Sequence, residues 1–231
     1  MTPDVLIIGD SHSVTLSAGC EQLEISCLTA SFSGAIWHDG HISYHDELGI
    51  AFSRKWGRQL LDEIRAEIGV EHLAKAGVPV MFSAGFHLGR LVPAFGWSGH
   101  KAFRNDVEMP DDRMAVSAGF MREYLCEFRT AQFDLIEGFA RHTPVVVVAP
   151  PPTDRENFPE FSEATIELMK ERGLRVYDPR ADFADENGRL PDDLLEADQT
   201  HGNARYGQLV VERIIQLGYL KFPCRTSVAD L

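Results

Sequence analysis

Short, unbroken apolar runs alternate along the chain with segments of helical period. The runs at 5–8, 23–28, 78–82, 145–149 and 174–177 are rich in Val, Ile and Leu and are bounded by Gly, Pro or polar residues. A strand covered on both faces has this pattern, because none of its positions meets water. Between these runs, Leu60, Leu61, Ile64, Ile68 and Leu73 fall near one face of a helix expected over 56–74. Phe120, Leu125, Phe128, Phe133, Leu135 and Ile136 mark a second helical region, and 14–21, 164–171 and 204–217 mark three more. Strands alternating with helices predict a parallel sheet covered by helices on both faces. No repeat, low-complexity tract or linker divides the chain, so one domain over 1–231 is expected.

Two stretches, 31–54 and 88–113, are rich in Gly and aromatic residues and have no clean period. In a compact domain, loops of this length are functional or disordered. Phe32, Trp37, Tyr44, Phe95, Trp97 and Phe103 favour packing over disorder. Ligands of open α/β sheets bind outside the carboxyl ends of the strands, where such loops emerge, so both stretches are expected to border a cleft.

Composition removes several function classes. The 231 residues carry 22 Lys and Arg against 35 Asp and Glu, a formal charge of −13. That balance argues against a nucleic-acid partner and against anionic membrane surfaces. No stretch approaches the roughly 20 apolar residues of a membrane span, and the first apolar run is too short for a signal-peptide core. Cys20, Cys27, Cys126 and Cys224 form no C-x-x-C pair and are expected as reduced thiols in a cytoplasmic protein.

The candidate chemistry sits at the two ends of the chain. Gly9-Asp10-Ser11-His12 follows the first predicted strand and precedes a helix, so Ser11 stands where backbone N–H groups favour developing negative charge. The same text also fits Asp10 or Ser11 as a simple helix cap. Near the other end, Asp198-Gln199-Thr200-His201 precedes the last predicted helix, with Asn203 as its expected cap. An Asp three residues before a His can accept the Nδ1 hydrogen bond and leave Nε2 for a nucleophile. Taken together, the two segments supply a serine, a base and a carboxylate that orients the base.

These residues resemble the SGNH, or GDSL-type, hydrolase family. Gly9-Asp10-Ser11 is similar to its first block, which holds the nucleophile, and Asp198 with His201 is similar to its last. The resemblance implies a three-layer α/β/α, flavodoxin-like fold, with a five-stranded parallel sheet in the order 2-1-3-4-5. It further implies an oxyanion-hole glycine after the second strand, which makes Gly34 in Ser31-Phe32-Ser33-Gly34 the candidate and Gly40 an alternative. The family's third block is Gly-x-Asn, whereas this chain has Gly85-Phe86-His87. An imidazole N–H can donate in place of the amide, so His87 is the expected third donor beside the N–H groups of Ser11 and Gly34.

The resemblance implies an esterase that passes through an acyl-enzyme and needs no metal or cofactor. The substrate is expected to be a small-molecule or carbohydrate ester, with transfer of the acyl group to a sugar hydroxyl as an alternative outcome. Asp10, His12, Trp37, His38 and Phe86 are expected on the substrate cleft, and Arg90, Lys101 and Arg104 could meet an acidic group. Three other readings stand beside this one. The missing Asn fits a catalytically silent binding module. Asp10 and His12 also form the Asp-x-His that opens metallophosphoesterase sites, although the other motifs of that class are missing. His38, Asp39, His41, His45 and Asp46 crowd one segment with ligand-type side chains, but without metal-site spacing.

Overall fold

The computed structural model describes residues 2–103, 113–153 and 158–221. Arg104 and Cys224, singled out above, lie outside these residues. In chain order, β1 (Val5–Gly9) leads to α1 (Ser13–Gln22), β2 (Cys27–Ser31) and a short α2 (Gly34–His38). A hairpin of β3 (Ile42–His45) and β4 (Gly49–Phe52) precedes α3 (Lys55–Ile68) and β5 (Val80–Ser83). Then come α4 (Leu91–Phe95), β6 (His100–Phe103), β7 (Met114–Ser117) and the long α5 (Ala118–Ala140). The chain continues with β8 (Val145–Val148), α6 (Pro159–Glu171), β9 (Val176–Tyr177), α7 (Arg180–Phe183) and α8 (Ala204–Gln216).

Five strands form one parallel sheet in the order β2-β1-β5-β8-β9, the expected 2-1-3-4-5 when only its own strands are counted. Successive residues of β1 enter opposite layers. Leu6 and Ile8 join the core shared with α3, α5 and α6, whereas Val5 and Ile7 join the one shared with α1 and α8. Both faces are covered, which is why the run Val5-Leu6-Ile7-Ile8 contains no polar alternate. Fully burying an aliphatic side chain of this size contributes about 1.5–3 kcal/mol, so the central strands anchor the layers.

The second strand starts later than its apolar run suggested. Leu23 and Ile25 belong to the turn that ends α1, where Glu24 takes a positive φ of 56° and the Ile25 N–H donates to the Cys20 carbonyl. Pairing with β1 begins at Cys27. The helix expected over 56–74 stops at Ile68, because Gly69 closes it in the left-handed conformation. Leu73 and Ala74 are buried in a separate 3-10 turn. The two aperiodic stretches contain structure of their own. The first forms α2 and the β3–β4 hairpin, and the second forms α4 and strand β6, which pairs in parallel with β7. The hairpin packs Tyr44 against α5 at Gly138, so the part of 31–54 nearest the site is α2.

Helices α1 and α8 cross with their backbones in close approach. A Cβ on Gly207 would lie 2.0 Å from the Thr15 carbonyl oxygen, and one on Gly19 would lie 2.2 Å from the Gly207 backbone. Thr15 Oγ1 adds a hydrogen bond to the Gly202 carbonyl at 2.7 Å. Asn203 caps α8 as expected, its side chain accepting the Tyr206 N–H at 3.0 Å. This crossing brings the turn after β1 against the turn before α8. Among the described residues, no helix is long and apolar enough to cross a membrane.

Candidate active site

Ser11 lies in the turn between β1 and α1, at the carboxyl edge of the sheet, and His201 lies in the turn before α8. The two side chains meet across the helix crossing, with Ser11 Oγ 2.7 Å from His201 Nε2. His201 Nδ1 is 2.6 Å from Asp198 Oδ2. The turn that makes this possible bends at Gln199, which takes a positive φ of 56°. With that bend, Asp198 Oδ1 accepts the N–H groups of Thr200 and His201 at 2.8 and 3.0 Å, while Oδ2 remains for the ring. The main-chain and side-chain donors of His201, together with the Thr200 N–H, hold the Asp198 carboxyl well below the usual carboxylate range. It is therefore an anion wherever the protein is folded near neutrality, and it fixes the His201 tautomer with Nε2 facing Ser11.

Asp10 and Ser11 do not cap α1. The helix begins at Ser13, and His12, its N-terminal flanking residue, makes no side-chain cap. Asp10 is a buried carboxylate whose Oδ1 accepts the His12 N–H at 3.1 Å, and whose main-chain carbonyl accepts the hydroxyls of Ser13 and Ser31. Its role is to shape the turn that carries Ser11. His12 sits beside His201, the two ring centroids 4.7 Å apart. Burial lowers its proton affinity; Asp10 opposes that effect and His201 adds to it.

Gly34 and His87 come together at the start of α2. A Cβ at Gly34 would stand 2.1 Å from His87 Cδ2, so only glycine allows the ring this close to the start of α2. Gly40, the alternative, has open space at its Cβ position and makes no such contact. His87 Nδ1 accepts the Gly89 N–H at 3.2 Å, which places the ring proton on Nε2 and makes that nitrogen a donor. Among the described residues, neither the Ser11 N–H nor the Gly34 N–H donates to a protein acceptor. Gly34 opens α2, where first-turn N–H groups have no partner within the helix. The N–H groups of Ser11 and Gly34 and the Nε2–H of His87 are thus donors without a protein acceptor among the described residues.

Three expectations for the cleft change. Trp37 is only 3% exposed, packed edge-on against Phe32, and Phe86 is 7% exposed in the same core. Both are framework residues, because α2 turns its apolar side under the sheet edge. His38 is half-buried, and its Nε2 donates to the His87 carbonyl at 2.8 Å, so it braces the site from behind. The other ligand-type residues of its segment separate. His41 reaches Ser53, His45 accepts the Glu47 N–H, and Asp39 pairs with Arg90 at 3.4 Å. Among the described residues, no three His, Cys, Asp or Glu side chains converge as a metal site would require. Arg129 of α5 escaped the sequence reading altogether; its guanidinium donates to the His87 carbonyl at 2.9 Å.

Burial lowers the proton affinity of His12, His38 and His87 alike, with His38 pushed down to about 4. In the unfolded chain these histidines take up protons near pH ~6.5, whereas the folded protein refuses them. Stability is therefore lost as pH falls from that value towards the folded ones. The unfolding midpoint measured by calorimetry is expected to drop between about pH 6.5 and pH 4. His38→Gln, which keeps a donor for the His87 carbonyl without titrating, flattens that slope.

No family model matches the chain, and no curated protein matches it in sequence. Solved structures do resemble it. A protein assigned to the lipolytic G-D-S-L family from Desulfitobacterium hafniense DCB-2 superposes with a TM-score of 0.50 at 15% identity, covering 92% of this chain and 98% of that one. The periplasmic domain of a lipopolysaccharide acetyltransferase from Salmonella ser. Paratyphi A gives 0.51 at 10% identity, over 95% and 85%. A protein assigned as a platelet activating factor from Streptococcus pneumonia gives 0.52 at 13% identity, over 94% and 84%. At such identities the similarity speaks for architecture. With its five-stranded parallel sheet in the order found here, the chain has the three-layer fold of the SGNH, GDSL-type hydrolases.

Proposed function

We propose that the protein is a serine hydrolase that cleaves an ester-linked acyl group through Ser11, His201 and Asp198. The observation that carries this reading is the unbroken relay of 2.7 Å and 2.6 Å from Ser11 to His201 to Asp198. In the first step His201 Nε2 takes the Ser11 proton as Oγ bonds to the carbonyl carbon, and the carbonyl electron pair moves onto oxygen. The N–H groups of Ser11 and Gly34 and the Nε2–H of His87 meet that oxyanion. Collapse breaks the bond to the leaving alkoxide, which takes the proton from His201. Water then repeats the sequence on the acyl-enzyme, giving its proton to His201, and the acid leaves as Ser11 regains it.

His87 replaces an amide donor here, and its support is the tautomer imposed by Gly89. The fold neighbour named as a lipopolysaccharide acetyltransferase, together with the acidic balance of the chain, favours a neutral acylated carbohydrate as substrate. A fluorophosphonate probe tests the core of the reading. Wild-type protein is expected to be labelled at Ser11 and to hydrolyse p-nitrophenyl acetate. An intact protein that takes no label and shows no turnover on acetylated sugars or short acyl esters is instead a binding module. Product esters appearing when a sugar acceptor is added would reassign it to acyl transfer.

A further inference from the structure

Helix α5 buries a cation among apolar neighbours. Arg129 lies four residues after Leu125 and four before Phe133, on the face turned to the core, and is 1% exposed. Its NH2 donates to the His87 carbonyl, and among the described residues its Nε and NH1 have no hydrogen-bond partner. No ion pair neutralises it among those residues; Asp10 is the one carboxylate whose charge it feels. Burial pulls the guanidinium down to about 9, still above neutrality, so it remains a cation. Holding an uncompensated charge in the interior costs several kcal/mol. Groups kept at that cost concentrate where a site needs them.

What the cation does follows from its one partner. The His87 carbonyl receives two donors, Arg129 at 2.9 Å and His38 Nε2 at 2.8 Å, enough to occupy both lone pairs of the oxygen. Rotation of that peptide would break both bonds. The ring of the same residue is confined by Gly34 on one side and Gly89 on the other. The charged and titratable groups around it are Asp10 from the turn after β1, His12 at the start of α1, His38 from α2 and Arg129 from α5. Burial is the largest influence holding the ring neutral; Asp10 opposes it, and Arg129 works with it.

We infer that Arg129 is a positioning residue. It clamps the His87 peptide so that Nε2–H is presented to the oxyanion. This inference rests on the serine-hydrolase reading for its consequence in rate, but not for its effect on His87. The test uses protein carrying ¹⁵N-histidine, with His87 assigned by His87→Gln, compared with Arg129→Met, Arg129→Gln and Arg129→Lys.

In the wild type, the ring shifts are expected to show the Nε2–H tautomer. Arg129→Met moves the His87 protonation midpoint upward and lowers kcat by about 10–100-fold, less than the roughly 10²–10³-fold for outright loss of an oxyanion donor, while KM stays within about twofold. Its unfolding midpoint does not fall, because an uncompensated buried charge has been removed while His38 still serves the carbonyl. Arg129→Lys restores the His87 midpoint and much of the rate. Arg129→Gln keeps a donor for the carbonyl but removes the charge, and it is expected to raise the His87 midpoint even should Arg129→Met fail to fold.

An Nδ1–H tautomer in the wild type, or a His87 midpoint unmoved in both neutral variants, overturns the inference. So does a variant whose only defect is a lower unfolding temperature. Wild-type protein that resists the phosphonate while His87 still responds to Arg129 would remove the hydrolase reading and leave the clamp standing. Labelled wild type with an unresponsive His87 would do the reverse.

Discussion

Ser11→Ala is expected to lower ester turnover by about 10⁴-fold or more while the unfolding midpoint stays where it was. Among the described residues the hydroxyl makes a single hydrogen bond to a protein group, to His201 at the exposed rim of the sheet, so its removal leaves no buried polar atom there unpaired. The residual rate belongs to the donors around the oxyanion, which survive the substitution. Steady-state hydrolysis of p-nitrophenyl acetate and a thermal melt on the same sample measure both quantities. Near-normal turnover in the alanine variant would remove Ser11 from the mechanism.

The second large effect is expected at Asp198. Asp198→Asn keeps the shape of the turn but offers an amide where the carboxylate accepted from Nδ1. To avoid two donors facing each other, the ring adopts the opposite tautomer and turns an N–H towards Ser11, which then has no base. A loss of about 10⁴-fold in kcat is the expected scale. The pH profile separates this from a folding defect. The Asp198 carboxyl is held well below the usual range, so in wild type it stays ionised across the profile and contributes no limb near neutrality. Its folding contribution is present above the unfolded carboxylate value and is lost only as pH drops through the much lower folded one. The asparagine variant is therefore expected to be slow at every pH. An activity recovered at high pH would show that the tautomer is not what Asp198 controls.

Much of this arrangement can be read from the residues, because their periods and spacing reflect local physics. The continuous apolar text of β1 reports a strand covered on both sides. Asp-x-x-His in a turn puts the carboxylate within reach of both the main-chain N–H and the ring of the His. The misplaced start of β2 has an equally local cause: Leu23 and Ile25 are apolar because they sit under the α1 terminus, and apolarity does not distinguish a packed turn from a strand. Trp37 and Phe86 illustrate a different limit. Aromatic residues in a Gly-rich stretch suit a sugar-binding wall and a core equally well, and only the direction of α2 separates the two.

Arg129 was hidden for the opposite reason. It occupies an apolar position of α5, and that position is the signal, since a guanidinium four residues from Leu125 and from Phe133 cannot reach solvent without leaving the stripe. What it touches is 42 residues away, on the carbonyl of His87, and no local pattern states that. His87 itself was legible as a candidate because it stands where the resembled family has its amide. The tautomer that makes it a donor depends on Gly89 and on tertiary contacts.

The hydrogen bond between Ser11 and His201 joins residues 190 apart in the chain. During synthesis, Ser11 is made 190 residues before His201. Until those residues are made and packed together, Ser11 carries an ordinary, unactivated hydroxyl. The reactive pair forms only when α8 docks onto α1, a contact between distant segments of the kind that forms late and slowly. On the proposed reading, reactivity towards a phosphonate would thus mark molecules in which α8 has docked onto α1 and pass over those in which it has not.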